Sequence, residues 1–167
     1  MKRVVMWVVC AALAATGCGK KAAEIAAEKA IEYSAKADGK DVKVDIQSGG
    51  ETMVVKTEDG SYATGENVAI PENFPKDIPV YKGLKPTMSS TVGGEGSFML
   101  SGTIEGSPDD AAIYYSREAV ANGWTETTKI SQPQMTMLAY EKDDRAMSIM
   151  ASSEAGSTSL SITVAKK

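Results

Sequence analysis

The chain has 167 residues, with 18 basic and 22 acidic side chains, two cysteines and no histidine. Its acidic balance excludes a basic nucleic-acid-binding surface and a polybasic grip on anionic lipid. Without imidazole, the commonest general base, the commonest metal ligand and every histidine-dependent triad are also excluded.

The amino terminus reads Met1-Lys2-Arg3, then an apolar run from Val4 to Ala15, then Thr16-Gly17-Cys18. A basic start, a short apolar run and a small-residue end are the three parts of a secretory signal. Twelve apolar residues rise only about 18 Å as a helix, short of a ~30 Å hydrocarbon core. The segment Leu13 to Cys18 resembles a lipobox, in which a peptidase cuts before a cysteine that has received diacylglycerol. Ala15 stands where the usual leucine would be, and Leu13 lies two residues earlier. A conventional cut after Ala12-Leu13-Ala14 is the alternative, but the cysteine falls where the apolar run ends and lysines follow at once.

Residues 1–17 are therefore expected to be a signal peptide and Cys18 the lipidation site. The exported product would keep one cysteine, capped by acylation, which leaves no disulfide, thiol nucleophile or zinc cluster. Losing Lys2 and Arg3 leaves 16 basic and 22 acidic side chains, a net charge of −6. Acyl chains contribute about 0.8 kcal/mol per buried CH₂, so two or three hold the protein on a membrane. Gly19 stands where an aspartate would retain some lipoproteins in the inner membrane. By analogy, the expected location is the outer membrane, facing the periplasm.

Residues 18–39 read as the acylated tether and a helical spacer, because Lys20 to Ala37 is rich in Ala, Glu and Lys. Asp38-Gly39 supplies the stop. A partner-binding helix is the other reading of this segment. Residues 40–66 form a small β-meander: Val42 to Gln47 alternates strictly, Ser48-Gly49-Gly50 turns the chain into Thr52 to Glu58, and Asp59-Gly60 turns that into Ser61 to Thr64. Three such strands bury little and need another element to lean on. Residues 67–79 carry three prolines, each after a bulky apolar residue, and read as a strap pinned by Ile70, Phe74 and Ile78.

Residues 80–167 form the main α+β domain. Met88, Ser90 and Val92 alternate up to the Gly93–Gly96 turn, and Phe98, Leu100, Gly102 and Ile104 share one face of the return strand. Ser107 then caps a helix with Pro108 at its first position and Asp109 and Asp110 in its first turn. Ala112, Ile113, Tyr115, Ser116, Ala119 and Val120 fall on one arc of that helix. Asn122-Gly123 ends it, and Trp124 follows as the apolar residue expected to fold back. Strands carrying Leu138 and Tyr140, then Met147, Ile149 and Ala151, then Leu160, Ile162 and Val164 complete the domain, with Thr125 to Ser131 as a further candidate. The expected fold is an antiparallel sheet with one helix packed on one face, in the order ββα then three or four strands.

Little in this chain promises catalysis. Asp109-Asp110 is read as helix-terminal charge and Asp143-Asp144 as a hairpin turn, neither placed to flank a substrate bond. Gly93-Gly94-Glu95-Gly96 lacks the Gly-Lys-Ser/Thr ending and precedes a strand, so it is no phosphate loop. Methionine is enriched, with seven after Cys18. Met135 and Met137 share a strand face, and Met150 follows the next turn. These three are the candidate thioether ligands for Cu(I), against the ordinary reading of methionine as core filler.

Two stretches carry a resemblance: Pro71 through Gly83, and Tyr114-Tyr115 through Ala121-Asn122-Gly123-Trp124. They resemble uncharacterised bacterial lipoproteins common in delta-proteobacteria, which have an FPKDIPxYxGA entry and an FYKKELKANGW helix end. Leu84 stands here where that family often has alanine. The resemblance implies an envelope lipoprotein with a small α+β domain, and it brings no known substrate or catalytic residue.

The expected function is thus a non-catalytic, lipid-anchored envelope protein that engages another envelope component and needs no cofactor. The alternative is a small-ligand or Cu(I)-binding lipoprotein, with the ligand placed near Tyr115, Trp124 and Tyr140. The anchor has a direct check. Cys18→Ala is expected to move the protein out of the membrane fraction on envelope fractionation, whereas continued membrane association would rule out the lipid tether.

Overall fold

The computed structural model describes residues 20–37, 41–47, 51–92, 96–154 and 156–167. Cys18, the signal segment and most of the Gly93–Gly96 turn lie outside the described residues. So do the Asp38-Gly39 stop and the Ser48–Gly50 turn. The described residues fold as α+β, with nine antiparallel strands in one sheet and two helices.

Helix α1 spans Lys20–Ala37 and is followed by β1 (Val42–Gln47), β2 (Thr52–Thr57) and β3 (Gly60–Gly65). Next come β4 (Lys85–Val92), β5 (Ser97–Ile104) and α2 (Pro108–Ala121). The chain finishes with β6 (Thr125–Gln132), β7 (Met135–Lys142), β8 (Arg145–Glu154) and β9 (Ser157–Lys166). The spatial order is β1-β2-β3-β4-β5-β9-β8-β7-β6. Pairing of β3 with β4, from Gly60↔Val92 to Thr64↔Met88, makes the meander continuous with the strands that follow.

α2 crosses β6, β7 and β8 on one face of the sheet. Strands β5, β7, β8 and β9 alternate buried and open positions. Their inward side chains, including Leu100, Leu138, Ile149, Leu160 and Ile162, meet Ala111, Ala112, Tyr115 and Ala119 of the helix. The start of α2 is a capping box: the Asp110 amide donates to Ser107 Oγ at 3.2 Å, and the Ser107 amide donates to Asp110 Oδ2 at 2.9 Å. Two orphan amides of the first turn are thereby satisfied. Its end is a Schellman turn, with Trp124 N donating to Ala119 O and Gly123 N to Val120 O, both at 3.0 Å. Gly123 supplies the required φ of +83°, and the turn drives Trp124 into the core.

Two expectations need correction. Ile113 and Val120 are 66% and 54% exposed, not buried with the apolar arc. The inward stripe runs through Pro108, Ala111, Ala112, Tyr115 and Ala119 instead. Small alanines let the helix approach the sheet closely, and Tyr115 fills the remaining depth. In the strap, Ile70 is 40% exposed. Val68 takes that place, since its amide donates to Pro86 O at 3.3 Å and Ser89 Oγ donates to Ala69 O at 3.3 Å. Phe74 and Ile78 pack against the core as expected, Phe74 edge-on to Phe98 at 5.8 Å. Gly102 is required where β4 bulges between Pro86 and Met88, because a Cβ there would lie 2.2 Å from Lys85 O.

The β1 edge is covered by α1. Its Glu28 and Glu32, one turn apart, accept from the outward-pointing amides of Ile46 at 2.6 Å and Val44 at 3.0 Å. An open edge offers such amides to any other strand, and two carboxylates from one helix face occupy them here. Glu28→Ala combined with Glu32→Ala is expected to raise hydrogen exchange at the Val44 and Ile46 amides at least tenfold. The β5, β8 and β9 core amides should stay protected, as amide-resolved exchange can check.

Candidate functional site

Two features stand out in the structure, a half-buried polar latch at the strap and a largely uncovered sheet face.

The latch centres on Asp77, in the strap segment of the resemblance motif. Its carboxylate accepts from Arg145 at 2.5 Å and 3.2 Å and from Lys142 at 2.8 Å. Its carbonyl accepts from Trp124 Nε1 at 2.9 Å. Lys142 also donates to Asn122 O at 2.9 Å, at the end of α2. The guanidinium of Arg145 lies 5.0 Å from the Trp124 ring centre, a cation–π stack. One residue thus joins strap, helix end and the β7–β8 hairpin. The hydrogen bond from Arg145 holds the Asp77 carboxyl down from 3.8 to about 2, partial burial opposing and Lys142 assisting. Its hydrogen bonds tie these residues to one another, so the motif residues form a structural knot.

Among the described residues, no group of three or more His, Cys, Asp or Glu side chains gathers to hold a metal. Asp110 is consumed by the capping box. Asp143 sits in the β7–β8 turn at φ +52°, and Asp144 lies 3.9 Å from Lys166. Tyr140 donates to Glu126 Oε2 at 3.2 Å, an oxygen shared with Ser116 Oγ at 3.0 Å. Burial, followed by the neighbouring Glu126 charge, pushes the Tyr140 phenol up to about 12.

The space between α2 and the sheet, where a small ligand was expected, is filled by Tyr115, Trp124, Tyr140 and Leu138. Thr136 Oγ1 of β7 is buried without a hydrogen-bond partner, at a cost of about 1–3 kcal/mol. Burial pushes the Tyr115 phenol above the usual range. A groove of about 640 Å³ lies instead between α1 and β1–β2. Lys29, Lys36, Lys43 and Lys56 share its walls with Glu32, Asp41 and Asp45, so its charge is mixed.

Strand alternation reads the sheet face opposite α2 as a wet face of Ser, Thr and Ala; the structure adds the methionines to it. Following the pairings across all nine strands, one row reads Ile46, Met53, Thr64, Met88, Ser101, Ser161, Met150, Met137 and Ile130. The adjacent row runs from Val44, Val55 and Tyr62 through Ser90, Met99 and Thr163 to Ser148, Ala139 and Thr128. Neither row contains a charge, in a chain of which 24% is charged. Met99, Met150, Tyr62 and Ile130 are exposed on this face. Six of the seven methionines after Cys18 lie here, and only Met147 enters the core. The signal available in sequence was a set of strands whose outward positions are mostly Ser, Thr, Ala and Met, with Glu141 and Glu154 only at strand ends.

Residues 85–159 match a family model described as START domain-like. The match covers β4 through β8 with α2 and the start of β9. No curated protein and no solved structure matches the chain.

The latch makes a pH prediction. Because the folded pKa of Asp77 is depressed, its stabilisation is present above its ordinary value and lost as pH falls through about 2. At 27% side-chain exposure, the shift corresponds to about 2 kcal/mol. Urea midpoints of wild type and Asp77→Asn are expected to differ at pH 7 and to converge towards pH 2, and a gap independent of pH would refute the assignment.

Proposed function

We propose that this chain is a lipid-anchored, non-catalytic module of the bacterial cell envelope that docks another envelope protein on its uncovered sheet face. The observation that carries this reading is the pair of charge-free rows spanning nine strands. Water-facing strands normally carry charge, and Met99, Met150, Tyr62 and Ile130 are exposed within these rows, which suits a contact surface. Methionines suit such a surface because the thioether chain is flexible and polarisable. Serines between them keep the centre low and let a partner approach closely. The START domain-like match favours a binding role over catalysis. The engaged latch and capped helix supply rigidity and no chemistry, which agrees with a domain that presents a surface.

The anchor follows from the Leu13–Cys18 lipobox reading. α1 begins at Lys20, so the sheet would sit close to the membrane that holds Cys18. Among the described residues no helix is long and apolar enough to cross a membrane, and attachment here rests on acyl chains.

The test uses photo-crosslinking side chains at Met99 and Met150 on the face, and at exposed Ile113 on α2 as the control. In intact envelopes the face positions should give the same discrete protein adduct, and the helix position should not. Ser161→Lys, which puts a charge at the centre of the row, should reduce that adduct at least tenfold while leaving the melting temperature within a few degrees. Absence of a reproducible adduct from either face position would remove this reading.

A further inference from the structure

We propose that Met135, Met137 and Met150 form a Cu(I)-binding site at the β7–β8 end of the uncovered face. Met137 and Met150 are direct cross-strand partners, a placement that sets Cβ atoms about 4.5–5.5 Å apart on one face. Met135 lies two residues from Met137 on the same strand and side, and its own partner is Ser152. It is therefore diagonal to Met150, a neighbour that long side chains reach. Three flexible thioethers can thus converge above the β7–β8 pair. Among the described residues no other two methionines face each other directly, which singles out this trio from Met53, Met88 and Met99.

The donor set selects the ion. Thioether sulfur is soft and uncharged, so it favours Cu(I) and offers little to Zn²⁺, Mg²⁺ or Ca²⁺. The surrounding positions are Ile130, Gln132, Ala139, Ser148, Ser152 and Ser161, and the carboxylate on this side of β8, Glu154, lies diagonal to Met135 at the end of the strand, away from Met137. Met150 is 45% exposed, which leaves the sulfur open to an incoming ion, while Ile130 beside Met137 shields one flank from water. Thioethers do not titrate in the physiological range, so this site binds independently of pH. The proposal needs neither a partner nor a membrane and stands apart from the docking reading.

The test is anaerobic Cu(I) titration of the full chain in detergent, against a chromogenic Cu(I) chelator, with Cys10→Ser and Cys18→Ser to remove thiol ligands. One equivalent should be taken up with a dissociation constant below micromolar, unchanged between pH 5.5 and 7.5. Met137→Leu and Met150→Leu keep volume and remove sulfur, and each should weaken binding at least tenfold, whereas Met99→Leu should not. X-ray absorption at the copper edge should show a sulfur-only shell. Binding weaker than micromolar, or binding untouched by both Met137→Leu and Met150→Leu, overturns the site. Binding lost at the lower pH does so too, because it would report a titrating ligand.

Discussion

The antiparallel pairing of β5 with β9, from Phe98↔Val164 to Ile104↔Thr158, is the constraint on which the rest of the molecule depends. Every other pairing joins strands consecutive in the chain, while this one closes a loop of about 60 residues. With β9 against β5, the next segment after β5 must travel to the far edge, where β6 lies beyond β9, β8 and β7. Four strand spacings at about 4.8 Å make a gap of roughly 19 Å, and fourteen helical residues rise about 21 Å. α2 therefore fits the crossing by length, and by making it covers one face of those strands. Among the described residues no helix makes a comparable crossing of the opposite face, and α1 lies against β1.

That asymmetry explains how the apolar residues distribute. Strands β5, β7, β8 and β9 put their large apolar side chains towards α2 and Ser, Thr and Met away from it. The meander does the reverse: Val42, Val44 and Ile46 of β1 share the face of Met99 and Met150, not that of Leu100. The apolar side of the sheet thus changes hands between β4 and β5, since Met88 and Val92 share the face of Ile46 while Phe98 and Leu100 face α2. Asp77 then ties the strap to the helix end and the β7–β8 hairpin, so the covering layer is held by one carboxylate and its two cations as well as by packing.

Much of the secondary structure was readable because its causes are local. Ser107-Pro108-Asp109-Asp110 carries its own cap, and Asn122-Gly123-Trp124 carries its own stop and the residue that folds back. Strand positions followed from two-residue alternation. The helix arc was misread at Ile113 and Val120 because an amphipathic angle does not say how deep the neighbouring layer sits, and alanines served that layer better. Ile70 was misread because its neighbour Val68 was held by backbone bonds to residues about twenty positions away. The exposed face was legible as a wet face of Ser, Thr and Ala, but its methionines and its charge-free rows become visible only when the strands are laid side by side.

The amino-acid sequence by itself determined the start and stop of α2, the two-residue alternation of the strands and the absence of imidazole chemistry. Those properties depend on residues within a few positions of one another. Only the tertiary structure decided which faces join, which lysine and arginine meet Asp77, and that Met137 stands directly opposite Met150. Register between strands is set by pairing across the sheet, and a shift of one residue would send every one of those side chains to the other face.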